Sequence, residues 1–105
     1  MFTVIATFPA APAHREAVFS ALEASLSVYE GSPGALGYQI LAPRGDPDTR
    51  VALMLWEDEA AFKAMLQTPA SKAAHAGMSP EMWRETPGLQ YFDSERAWHP
   101  ASTTA

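Results

Sequence analysis

Cysteine is absent from the 105 residues. That excludes disulfides, thiolate metal sites, iron–sulfur ligation and a cysteine nucleophile, while saying nothing about the redox compartment. Basic residues are scarce, with seven Lys and Arg against twelve Asp and Glu and a formal charge of −5. Such a balance repels phosphate backbones and anionic lipid headgroups, so neither nucleic acid nor a membrane is an expected partner. Long hydrophobic runs are missing as well: no stretch approaches the ~20 apolar residues that span a bilayer. The apolar opening from Phe2 to Phe8 is short, has no basic lead-in and is interrupted by Thr3 and Thr7. It reads poorly as a secretory signal, and a cytoplasmic location is the expectation. No glycine-rich phosphate loop or dinucleotide fingerprint appears, and His14, His75 and His99 stand at no metal-ligand spacing. No bound cofactor and no protein metal site are expected.

What is present is a core. Hydrophobic residues make up 48% of the chain and charged residues 18%, a composition that folds. So few residues cannot support two separate cores, which implies one domain over residues 1–98 followed by a flexible polar tail over 99–105.

The β-branched and aromatic segment Phe2 to Phe8 predicts a first strand ending at Pro9. Val18, Leu22, Leu26 and Tyr29 recur at helical spacing between Pro12, suited to a first helical position, and the stop signal Gly31-Ser32-Pro33-Gly34. Ala35 to Ala42 alternates, with Leu36, Tyr38 and Ile40 on one face, and predicts a second strand. A turn-forming cluster from Pro43 to Asp48 joins it to Arg50–Trp56, which is apolar at nearly every position and reads as a third strand buried on both sides. Asp58 caps a second helix carrying Phe62, Met65 and Leu66. Thr68-Pro69 restarts it through Ala76, Gly77 stops it, and Ser79-Pro80 opens one more helical turn through Met82 and Trp83. Leu89 to Trp98 supplies the last strand.

Strand, helix, strand, strand, helical region, strand is the split βαβ order of an α+β, ferredoxin-like domain with a four-stranded antiparallel sheet. Two helices cover one face of that sheet, so a third strand greasy on both sides needs a second cover, and a second copy of the chain is the simplest. A homodimer is expected.

Three segments carry a resemblance to a known family: the strand Phe2 to Phe8 with the turn Ser32-Pro33-Gly34, the block Leu55-Trp56-Glu57-Asp58-Glu59-Ala60-Ala61-Phe62, and Thr68-Pro69 followed by Lys72-Ala73-Ala74-His75. From Met1 to about Trp98 the chain resembles the antibiotic biosynthesis monooxygenase family. These are dimeric α/β barrels that include cofactor-free oxygenases of polyketide aromatics, quinol oxygenases and haem-degrading enzymes. In the polyketide oxygenases a tryptophan at the position of Trp56 sits beside the ligand, with an asparagine four residues earlier and a tyrosine six later. Here those positions hold Ala52 and Phe62, so two of three polar contacts are replaced by apolar groups. The context of His75 is similar to the haem-ligand segment of the haem-degrading branch. That branch also carries an asparagine on its first strand and a tryptophan at the position of Met65, and neither is present here.

The resemblance and the missing cofactor motifs together imply a cofactor-independent monooxygenase that oxidises a small aromatic substrate, a polycyclic phenol or quinol, to a quinone. Haem degradation, with haem as substrate or ligand, is one alternative; a non-catalytic ligand-binding or structural dimer is the other. On the leading reading His75 or Tyr38 handles protons, and Trp56, Phe62, Met65, Trp83 and Tyr91 line the substrate site. Each has a plainer role available: a helix-end cation for His75, core packing for the aromatics and methionine. Arg84 is a candidate partner for a phenolate. The acidic run Glu57-Asp58-Glu59 needs only its place at a helix N-terminus.

Overall fold

The computed structural model describes residues 1–98; the expected tail over 99–105, with His99, lies outside the described residues. Four strands, β1 (Phe2–Pro9), β2 (Ala35–Leu41), β3 (Thr49–Trp56) and β4 (Gly88–Asp93), form one sheet in the order β2-β3-β1-β4. All three strand pairings are antiparallel. This is the ferredoxin-like α+β fold, with α1 (Arg15–Glu30), α2 (Glu59–Leu66) and α3 (Pro69–His75) as its helices.

Register fixes which side chains share a face, because directly opposed residues point the same way. Phe2 pairs with Trp56, Val4 with Met54 and Ala6 with Ala52. That face is covered, chiefly by Val18, Leu22, Leu26 and Tyr29 of α1 and Phe62 of α2, all buried. The opposite face carries Ile5, Val51, Leu53 and Leu55 on the central strands, half-buried, with Leu41 and Phe92 exposed at its margins. Within one protomer, β3 is therefore closed on one side only, short of the expected double burial.

Local chemistry sets the helix ends. The Asp58 carboxylate accepts from the Ala61 N–H at 2.8 Å, and Thr68 Oγ1 accepts from the Ser71 N–H at 3.1 Å with Pro69 in the first turn, both as the sequence predicts. Ahead of α1, however, Pro12–His14 form a 3-10 turn, and the α-helix begins only at Arg15. The i→i+3 bond from His14 N–H to Ala11 O closes that turn.

Two strand expectations need correction. The last strand stops at Asp93 and not at Trp98: Asp93 pairs with Phe2, the first residue of β1, and the ladder ends there. Ser94 closes the end by donating its N–H to Met1 O at 2.9 Å and pairing its hydroxyl with Thr3 Oγ1. In β2 the alternation holds for Tyr38 and Ile40 but breaks at Leu36, where a bulge shifts the register between Ala35 and Gly37. The Tyr29 hydroxyl, at the end of α1, holds this bulge: it accepts from the Gly37 N–H at 2.8 Å and lies against the Gly37 and Leu55 carbonyls. At the preceding turn, Gly34 adopts φ +84°, and a Cβ there would stand 2.6 Å from the Ala61 Cβ. Only glycine allows α2 to sit this close.

Candidate active site

Between the helix-covered face of the sheet and α1, α2 and α3 lies a cavity of about 320 Å³. Its floor is hollow because Ala6 and Ala52, paired across the two central strands and both buried, place a methyl group where larger residues would fill the layer. Leu22 and Leu26 of α1 form one wall, and Phe62 and Met65 of α2 another. The segment after α3 closes one end with Met78 and Trp83. The lining is overwhelmingly apolar, which suits a flat hydrophobic ligand.

Polarity is confined mainly to α3. Ser71 is almost fully buried, and His75 stands one turn further along the helix at the rim. His75 Nδ1 lies 2.8 Å from the Ser71 carbonyl oxygen. A carbonyl can only accept, so Nδ1 carries the proton in that bond, and in the neutral ring Nε2 keeps its lone pair for another partner. This gives the cavity one group able to take a proton.

The residues singled out from sequence divide into two sets. Phe62, Met65, Trp83 and His75 meet around the cavity. Tyr38, Trp56 and Tyr91 are not among its lining residues. The Tyr38 hydroxyl donates to Glu30 at 2.7 Å; that bond first, then partial desolvation and the negative charge of Glu30 and Glu23, raises the phenol above its ordinary pKa. Its proton is committed on the outer side of α1. Tyr91 is half exposed and stacks on Phe2, with Phe62 as its other ring neighbour.

Trp56 is fully buried behind the wall, edge-on to Tyr29 and tilted against Phe62 at 5.9 Å between ring centroids. Among the described residues its Nε1 is the one buried side-chain nitrogen or oxygen with no hydrogen-bond partner. Such an orphan costs about 1–3 kcal/mol.

Arg84 does not reach toward a phenolate. Its guanidinium donates to both Asp46 carboxylate oxygens at 3.1 and 3.3 Å and to Thr49 Oγ1 at 3.0 Å, tying the segment beyond Trp83 to the β2–β3 turn. The Arg84 guanidinium, with the Thr49 hydroxyl, holds the Asp46 carboxyl down at about 2. Sequence reasoning did not foresee Ala6 and Ala52 as the cavity floor, Ala52 having been marked only as a lost polar contact, nor did it foresee Ser71. The first two were visible as small residues interrupting strands of larger ones, whereas the burial of Ser71 depends on how α3 docks.

Among the described residues no three His, Cys, Asp or Glu cluster to hold a metal ion, and no helix is long and apolar enough to cross a membrane. The fold and its chamber define a ferredoxin-like α+β domain with an apolar cavity between sheet and helices. The family model for antibiotic biosynthesis monooxygenases matches residues 1–77, and the chain belongs to that family. No curated protein matches it by sequence. Among solved structures it is similar to PA3566 of Pseudomonas aeruginosa, at 25% identity over 87% of this chain and 90% of that one, with a TM-score of 0.76. It is also similar to Rv0793 of Mycobacterium tuberculosis, at 19% identity over 96% and 98% of the two chains, with a TM-score of 0.77. SnoaB of Streptomyces nogalater, described as a cofactor-independent oxygenase, is 20% identical over 91% and 94%, with a TM-score of 0.73.

Proposed function

We propose that this protein is a cofactor-independent monooxygenase that converts an electron-rich polycyclic phenol or quinol to a quinone. The observation that carries this reading is the apolar cavity with a single proton-accepting group, His75, at its rim. Family membership and the likeness to a cofactor-independent oxygenase point the same way.

A flat aromatic binds between Phe62, Met65, Leu22 and Leu26, with its hydroxyl toward α3. His75 Nε2 takes the hydroxyl proton while the Ser71 carbonyl steadies the ring through Nδ1–H. The resulting phenolate passes one electron to dioxygen, and the substrate radical and superoxide combine at a hydrogen-bearing ring carbon. The peroxide so formed gains a proton and loses water, leaving a carbonyl. One oxygen atom enters the product and the other leaves as water, so the substrate supplies all the electrons. The protein binds, deprotonates and excludes bulk water. With alanine at position 52 and phenylalanine at position 62, the chamber offers walls where the polyketide oxygenases offer hydrogen bonds, and substrate selection rests on shape.

The reading includes a homodimer. Ile5, Val51, Leu53, Leu55, Leu41 and Phe92 make an apolar sheet face that none of the described helices covers, and a second copy would remove it from water. Haem is a poor fit, because among the described residues the cavity lining includes no lysine or arginine to meet two propionates.

Oxygen-electrode assays with a panel of anthrones and quinols test the chemistry. Protein-dependent uptake above a boiled control is expected, with kcat falling about a hundredfold in His75→Gln. Binding of the same compounds without uptake would leave a non-catalytic ligand-binding module, which the cavity also supports.

A further inference from the structure

Three residues with hydroxyl groups line the cavity: Ser25, Tyr29 and Ser71. Two of these hydroxyls are spent on backbone. Ser25 Oγ donates to the Ala21 carbonyl one turn back at 3.1 Å, as Ser27 Oγ does to Glu23, and the Tyr29 hydroxyl is tied to Gly37 and Leu55. Ser71 departs from the pattern. Its N–H donates to Thr68 Oγ1 and its carbonyl accepts from His75 Nδ1. No hydrogen bond among the described residues uses its hydroxyl, although the residue is only 2% exposed. Nor is that hydroxyl sealed in, since among the described residues the one sealed side-chain nitrogen or oxygen without a partner is Trp56 Nε1. The surface Ser71 keeps opens on the cavity. A nearly buried hydroxyl with its O–H uncommitted and an apolar chamber in front of it is a place for a ligand's polar atom.

We propose that the Ser71 hydroxyl is a second polar contact of the binding site, donating to one oxygen of the ligand while His75 meets another, so that the cavity selects aromatics carrying two oxygens on one long edge. The inference rests on the cavity being the binding site for an oxygenated aromatic with His75 as its base. Shape admits a flat ring system and does not decide which of its edges faces α3. Ser71 and His75 do: both line the cavity from that one helix, four residues and therefore about 6 Å apart along its axis. A three-ring phenol with hydroxyls at ring positions 1 and 8 presents both oxygens on the same edge at a comparable separation. Its 1,5 isomer carries them on opposite edges and can meet Ser71 or His75 but not both.

The test titrates the full chain under argon with anthracene-1,8-diol and anthracene-1,5-diol, two isomers of the same composition, and follows the fluorescence of each diol. The wild type is expected to bind the 1,8 isomer about tenfold more tightly. Ser71→Ala is expected to erase that preference by weakening the 1,8 isomer alone, with no fall in urea midpoint. Ser71→Cys, similar in volume and a weak donor, is expected to lie between the two. A serine present only for packing would move the urea midpoint, or both affinities together.

Equal affinities in the wild type, a preference that persists in Ser71→Ala, or an equal loss of both isomers in that variant each overturns the subsite, as does a wild type that binds neither diol. Oxygen uptake is scored separately, in air. A preference that depends on Ser71 without any uptake sinks the oxygenase reading and leaves the subsite, and uptake with a preference that ignores Ser71 does the reverse.

Discussion

The two faces of the sheet are built from the same strands and are similarly apolar, yet they end in different surroundings. On one, Val4, Ala52 and Trp56 are at most 1% exposed beneath the helices. On the other, Ile5, Val51, Leu53 and Leu55 are half-buried, and Leu41 and Phe92 stand 40% and 44% exposed. Hydrophobicity in a strand records that a face is meant to be covered. It does not record by what.

The sharpest break in the comparison comes from the covered face. Trp56→Ala removes the largest fully buried side chain, and its effect on stability is expected to be about 3–5 kcal/mol, measured as a lowered urea midpoint at unchanged m-value. The bare face should respond through assembly. Leu53→Glu is expected to halve the mass seen by light scattering at micromolar concentration, because a charge in a closed apolar interface lacks a partner. If the wild type already scatters as a monomer, the bare face has some other cover. Gly34→Ala strikes the joint between α2 and the sheet, where positive φ and the Ala61 methyl both oppose a Cβ. A loss of about 1–3 kcal/mol is expected, read by thermal or denaturant unfolding.

The smallest effect concerns Asp46. Its folded pKa of about 2 lies below its ordinary 3.8, so its contribution to stability is complete above the ordinary value and disappears as pH falls through the folded one. Arg84→Gln is therefore expected to leave a shallower fall in urea midpoint between pH 4 and pH 2 than the wild type shows, with Arg84→Lys in between.

Local signals made most of the fold legible. Caps at Asp58 and Thr68, stops at Gly31 and Gly34, and the spacing of Val18, Leu22, Leu26 and Tyr29 all act within a few residues of themselves, and the structure follows them. What escaped depends on distant partners. The last strand reads on to Trp98 by propensity, but its true end is set by where β1 begins. The bulge at Leu36 exists because a hydroxyl arrives from the end of α1, and the periodicity of β2 carries no trace of that.

The site follows the same division. Phe62, Met65 and His75 lie on helices whose inward faces the sequence marks, and the structure brings them to the cavity. Trp56 is hidden by the ring of Phe62, and Tyr38 is turned outward to Glu30, side-chain outcomes that spacing does not encode. Arg84 shows the point most plainly, since its partner Asp46 lies 38 positions away.

The placement of β1 bears on how the chain is made. This first strand is flanked by β3 and β4, with Phe2 bonded between Trp56 and Asp93. During synthesis the β2–β3 hairpin is the earliest part of the sheet able to form, while the opening segment waits, sticky and unpaired, for backbone still inside the ribosome. Closure of the sheet thus waits for β4, and such distant pairings fold slowly. A nascent chain stalled before Gly88 would hold its first strand by one edge only, an easy substrate for a chaperone or protease.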